Sequence, residues 1–126
     1  MARKWIEFEQ RQHGPNGGDY ISLNGFGEFW INNVVFEKIG RPEAVTLHFD
    51  PESNSIGMQR SEANRINALR VRKRESGAWG VRSLAFMRKW DIRLTGTYLF
   101  PEPQIEDDML VLPLNTRFSV TRNRRR

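Results

Sequence analysis

Phe29-Trp30-Ile31-Asn32-Asn33-Val34-Val35-Phe36-Glu37-Lys38-Ile39-Gly40 returns later in the chain, altered but recognisable, as Trp79-Gly80-Val81-Arg82-Ser83-Leu84-Ala85-Phe86-Met87-Arg88-Lys89-Trp90. Ile31 falls opposite Val81, Val35 opposite Ala85 and Phe36 opposite Phe86, and Ile39 meets Trp90 after a one-residue shift. An alternating segment and a turn precede each stretch. In the first copy this is Tyr20-Ile21-Ser22-Leu23-Asn24 with the turn Asn24-Gly25-Phe26-Gly27; in the second it is Ala68-Leu69-Arg70-Val71-Arg72 with a turn at Ser76-Gly77. A further apolar segment follows each, Val45 to Phe49 in one copy and Gly96 to Phe100 in the other. The period is about 50 residues, and two copies imply a pseudo-symmetric domain, since stacked repeats need at least three units.

The local reading is mostly β. Trp5, Glu7 and Glu9 alternate with Ile6 and Phe8, which predicts a short strand, and Gln10 to Asp19 is a loop by its Gly, Pro and Asn content. Asn32 or Asn33 is placed to cap a short helix over Val34 to Ile39, stopped by Gly40 with Pro42 beyond it. Ala44 to Phe49, the turn Asp50-Pro51-Glu52-Ser53-Asn54 and Ser55 to Gln59 predict a hairpin. In the second copy Ser83 caps a helix over Leu84 to Trp90, and Leu94 to Phe100 is a strand. Pro101 to Asp108 makes a long hairpin tip, and Met109 to Leu114 returns. The expected organisation is a single pseudo-symmetric β domain over residues 1–116, with unit one at about 20–60 and unit two at about 68–114. Residues 117–126 follow as a basic tail, in which Phe118 and Val120 extend a strand.

The order strand, Gly turn, strand, short helix, Gly and hairpin resembles the AbrB-like family, also called SpoVT/AbrB or MazE-like. The resemblance is carried by residues 27–40, then Ala44-Val45-Thr46-Leu47-His48-Phe49 and Ser55-Ile56-Gly57-Met58. It covers about 40 residues of the first copy and, more loosely, a similar length of the second. It implies a tandem swapped-hairpin β-barrel, an intramolecular pseudo-dimer with two short helices, that binds DNA and regulates transcription. The first copy departs from the family pattern. Glu28 stands where the family has a basic residue after the glycine, Asn32 where it has a capping proline, and Phe36 and Glu37 where it has helix arginines. DNA binding is therefore expected to centre on the second copy.

Charge points the same way. The whole chain of 126 residues carries +5, with residues 1–63 at −3 (6 Lys and Arg, 9 Asp and Glu) and residues 64–126 at +8 (14 against 6). A basic half rich in arginine suits phosphate, because the planar guanidinium donates two parallel hydrogen bonds. The candidate nucleic-acid contacts are Arg70, Arg72, Lys73, Arg74, Arg82, Arg88 and Lys89, with Arg122, Arg124, Arg125 and Arg126 from the tail. The bland alternative is a solvated sheet face. The competing functional reading is a non-catalytic interaction module, antitoxin-like or an assembly subunit, whose basic surface covers an acidic protein partner.

Other chemistry finds little footing. There is no cysteine, so disulfides and thiolate zinc sites are excluded. His48 and Asp50 lie two apart on a strand but want a third ligand, so neither a metal site nor a cofactor is expected. Glu106-Asp107-Asp108 is an acidic turn with no nucleophile beside it, and no enzyme is expected. Trp30 and Trp79 hold equivalent places and are expected in a shared core or seam. No apolar run approaches the ~18 residues of a membrane span, and a cytoplasmic protein, free to form homo-oligomers, is expected.

Overall fold

The computed structural model describes residues 19–116 together with residues 3, 5, 118 and 119. The expected first strand, most of the loop after it and the basic tail from Val120 onward lie outside the described residues. The first half runs β1 (Tyr20–Asn24), β2 (Glu28–Ile31), α1 (Asn33–Lys38), β3 (Ala44–Asp50) and β4 (Ser55–Ser61). The second half runs β5 (Leu69–Arg70), β6 (Arg72–Lys73), β7 (Trp79–Arg82), α2 (Leu84–Lys89), β8 (Thr97–Pro101), β9 (Gln104–Glu106) and β10 (Met109–Pro113). A 3-10 turn at Leu114–Thr116 and the short β11 (Phe118–Ser119) follow. The fold is mostly β, built as two antiparallel sheets ordered β11-β8-β1-β2-β7-β6 and β5-β3-β4-β10-β9.

The strand pairings fall into matched sets. Hairpin β1–β2 is matched by β6–β7, and hairpin β3–β4 by β9–β10. Two pairings cross between halves in a reciprocal way: β1 lies against β8, and β5 lies against β3. Two more join like with like, β2 to β7 and β4 to β10, both antiparallel as a local two-fold relation requires. Both helices begin and end alike. The Asn32 side chain accepts a hydrogen bond from Val35 N at 3.1 Å, and Ser83 Oγ accepts one from Phe86 N at 3.1 Å. Past the helix ends, Arg41 N donates to Phe36 O and Ile92 N to Met87 O, the longer bond of a Schellman cap. Gly40, at φ 86, and Asp91, at φ 53, supply the left-handed residue that this cap needs.

The expected barrel is corrected, because it is not closed among the described residues. β11 and β6 are the edges of one sheet, β5 and β9 those of the other. Strands that pass from sheet to sheet break as they do so. The β5–β6 strand breaks at Val71, whose N–H bonds to Glu43 O, outside the ladder. The β8–β9 strand breaks at Glu102, which sits at φ 48 between Pro101 and Pro103. Proline donates no backbone hydrogen bond, so the ladder cannot run through this corner.

The long hairpin tip is corrected too. β9 pairs with β10 up to Glu106 opposite Met109, leaving a loop of Asp107 and Asp108 alone. Both have positive φ, 50 and 67, the conformation of a tight type I′ turn. The segment that matches β3 in the hairpin is thus β9, and not a strand starting at Gly96. By contrast β3–β4 closes at Asp50 opposite Ser55, as the sequence predicts.

One core joins both sheets and both helices. Ile21, Leu23, Phe29, Ile31 and Val81 come from the first sheet, and Val45, Ile56, Met58, Leu110 and Leu112 from the second. Val35, Phe36 and Met87 come from the helices. Full burial of each such side chain is worth ~1.5–3 kcal/mol. The two helices have six residues each, too few to persist alone, and it is this packing that holds them.

Candidate nucleic-acid interface

The seam between β2 and β7 decides which side chains share a face. Glu28 lies opposite Arg82, Phe29 opposite Val81, Trp30 opposite Gly80 and Ile31 opposite Trp79. Phe29, Ile31 and Val81 are buried in the core. Alternation therefore sends Glu28, Trp30, Gly80 and Arg82 to the outer face. Arg72 pairs with Gly80 on the next strand and joins them, while Lys73, opposite Trp79, belongs to the other side. Arg70 arrives from β5. The outcome is a cleft of about 400 Å3 lined by Trp30, Arg70, Arg72 and Arg82, with Glu28 and Leu69 at its walls.

Trp30 takes its position from a missing side chain. Its indole lies over Gly80, where a Cβ would stand 2.7 Å from Cε3 and 2.8 Å from Cη2. The Arg74 guanidinium lies over the ring, with Cζ 3.9 Å from the centroid, a close cation–π contact. Arg74 itself is held by the β6–β7 turn, where Arg74 N donates to Ala78 O at 2.8 Å and Gly77 N donates to Arg74 O at 3.0 Å. Arg70, Arg72, Arg74 and Arg82 are all exposed. Among the described residues none of the four enters an ion pair. Among the described residues Glu28 is the one acid in the cleft wall, with its Oε1 accepting from Asn24 Nδ2 at 2.8 Å.

The remaining candidate residues lie elsewhere. Lys73 Nζ sits 5.4 Å from the Trp79 ring. Arg88 lines a different cleft, beside Asp91 and Arg93, and Lys89 Nζ sits 5.7 Å from the Trp90 ring. Arg122, Arg124, Arg125 and Arg126 lie outside the described residues. The structure thus gathers Arg70, Arg72, Arg74 and Arg82, and separates Lys73, Arg88 and Lys89 from them.

Both tryptophans lie on the β2–β7 seam, but they divide there, and only Trp79 reaches the core. Trp79 packs against the core, stacked on Phe36 at 4.2 Å and 14°, and its Nε1 donates to Asn33 Oδ1 at 3.3 Å. Trp30 is half-buried on the outer face and takes no part in that cluster. Two signals could have found it: Glu28 and Trp30 alternate against Phe29 and Ile31, and a glycine stands across the seam.

His48 and Asp50 are engaged separately. His48 Nε2 lies 2.8 Å from Thr46 Oγ1. Asp50 accepts hydrogen bonds from Ser53 Oγ at 2.7 Å and Glu52 N at 3.1 Å, and these bonds, Ser53 first, hold its carboxyl below the ordinary value. Among the described residues no group of three or more His, Cys, Asp or Glu is placed to hold a metal ion. No described helix is long and apolar enough to cross a membrane.

Comparison with protein-family models, with curated proteins and with solved structures finds no match to this chain. The reading of the cleft therefore rests on its own residues.

Proposed function

We propose that this chain binds nucleic acid, DNA in the first instance, through the outer face of its first sheet. We further propose that it is built as two AbrB-like swapped-hairpin units in tandem, with a regulatory role in the cytoplasm. The reciprocal pairings β1–β8 and β3–β5, in which each half lends a strand to the other, support the swapped arrangement. One observation carries the binding reading: three strands from the second half place Arg70, Arg72 and Arg82 in one cleft, and Arg74 lies over the tryptophan within it. Arginines that form no ion pair among the described residues, set on a pleated surface, offer bidentate contacts to phosphates.

The test is anisotropy with labelled random-sequence oligonucleotides, single- and double-stranded, across a salt series. Binding should weaken as salt rises, with a log–log slope of roughly 0.7–0.9 for each phosphate neutralised. The Arg70→Ala/Arg72→Ala/Arg82→Ala variant should flatten that slope by about two to three, whereas Arg88→Ala/Lys89→Ala should change it by about one at most. No binding at micromolar protein in low salt would remove the proposal. So would polyglutamate competing as well as nucleic acid, because charge alone would then explain the face and an acidic protein would fit it equally.

A further inference from the structure

Trp30 is the feature of the cleft that phosphate binding leaves unexplained. An indole on the outer face of a sheet is normally a cost, since ~150–250 Å2 of aromatic surface is available for burial and the core takes it. Here the chain keeps the ring out of the core and clears Gly80 beneath it. It surrounds the ring with arginines and covers it with one loop-borne guanidinium. A guanidinium plane and a nucleobase plane are interchangeable partners for an aromatic face. The duplex hides its base faces in its own stack, so only an unpaired base can stack on a ring that lines a cleft. Glu28 strengthens the argument. A phosphate backbone laid flat over this face would pass beside a carboxylate, whereas a base turned into the cleft can offer that carboxylate an amino group, as cytosine does through N4.

We propose that the ligand is single-stranded nucleic acid, one base of which stacks on Trp30 in place of the Arg74 guanidinium, while Arg70, Arg72 and Arg82 hold the flanking phosphates. This rests on the reading of the cleft as a nucleic-acid site and narrows it. The cleft, about 400 Å3, falls within the ~300–1,000 Å3 of pockets that enclose a small ligand and is large enough for one base and its sugar. Arg74 acts as a placeholder. It shields the indole when the cleft is empty and, once displaced, is free to meet a phosphate of the same strand.

The experiment compares three labelled probes at fixed salt: a short oligodeoxycytidine, an abasic strand of the same length, and the oligodeoxycytidine paired with its complement. The abasic strand keeps the phosphates and removes the bases. Wild-type protein should bind oligodeoxycytidine about 5- to 100-fold more tightly than the abasic strand, with quenching of tryptophan fluorescence, and should bind the duplex more weakly than the single strand. Trp30→Ala should bind the two single strands alike, and Trp30→Phe should keep most of the preference. If Trp30→Ala fails to fold, the wild-type comparison and Trp30→Phe still decide. Equal affinity for abasic and base-bearing strands, undiminished preference in Trp30→Ala, or tighter binding of duplex would each overturn the stacking proposal and leave the broader nucleic-acid reading standing. Failure of all three probes to bind would sink both.

Discussion

Hairpins β1–β2 and β6–β7 hold matched places on either side of one seam, yet the first supplies more of the core and the second more of the surface. Ile21, Leu23, Phe29 and Ile31 in the first are fully buried. In the second, Arg72 and Lys73 are exposed and only Gly80 and Val81 are buried. The difference follows from neighbours. β1 is flanked on its far side by β8, which completes its ladder over five residue pairs. β6 is an edge among the described residues, and a short, cationic edge strand is what keeps such an edge from pairing with another chain. A matched framework can therefore give most of its core from one half and the cationic side chains of the cleft from the other, with Trp30 and Glu28 of β2 joining them on the outer face. Arg72 of β6 fits both edge protection and the proposed cleft, and these two roles are separable by experiment.

The largest effect should come from breaking the buried member of the pair. Phe29→Ala removes a fully buried ring from the seam and is expected to cost about 3–5 kcal/mol. Arg72→Ala, on the matched hairpin, should change stability by no more than about 0.5 kcal/mol while weakening nucleic-acid binding. Denaturant midpoints at constant m value measure both. A loss of more than about 1 kcal/mol in Arg72→Ala would mean that the outer face is a structural element and would weaken the division of labour drawn here.

The two turn glycines sharpen the contrast at intermediate size. Gly27 closes β1–β2 at φ 80, and a Cβ there would meet Ser83 O at 2.5 Å, against the backbone that starts α2. Gly77 closes β6–β7 at φ 98 with nothing within 4 Å of the corresponding Cβ. Gly27→Ala therefore carries both the conformational penalty and a backbone clash between halves, about 2–4 kcal/mol together. Gly77→Ala carries the conformational part alone, about 1–2 kcal/mol. Thermal unfolding of the pair reads the difference. Equal losses would show that the contact between Gly27 and the Ser83 backbone, where Ser83 N also donates to Gly27 O at 2.9 Å, is not a fixed joint.

Much of this framework is legible in the sequence because it is written in local chemistry. Asn32 and Ser83 sit one residue before their helices, Gly40 and Gly77 fall where positive φ is needed, and Asp50 to Asn54 is a turn by composition. Arg70 and Arg72 share a cleft even though the strand breaks between them and sends them to different sheets. What the sequence hides depends on partners far along the chain. Trp30 and Trp79 look equivalent, but the seam register sets Trp30 against a glycine and Trp79 against Ile31, so one turns out and the other in. Arg88 and Lys89 look continuous with the strand arginines, but the helix carries them to other surfaces. The two prolines upstream of Asp107-Asp108 predict a longer loop and hide the tight turn there. Those prolines instead mark the corner where the strand changes sheet.

The smallest expected effect tests whether the two helices are as alike as their caps. Asn32→Ala and Ser83→Ala each remove one side-chain acceptor from a helix start, with about 1 kcal/mol lost in each case. Their consequences should differ in kind. α1 fixes Val35 and Phe36 in the core, and Phe36 also stacks on Trp79 across the seam. Opening α1 therefore requires opening the core, and in Asn32→Ala the amides of α1 should exchange at a rate that tracks global stability. α2 buries Met87 alone. In Ser83→Ala it can fray locally, so its amides should exchange faster than global unfolding allows while the sheets stay protected. Hydrogen exchange with site resolution separates the two patterns. Because fraying of α2 leaves the β2–β7 seam in place, Ser83→Ala should also leave nucleic-acid affinity at its wild-type value. A parallel fall in affinity would show that the arginine cleft depends on α2, which neither the pairing of the strands nor the lining of the cleft requires.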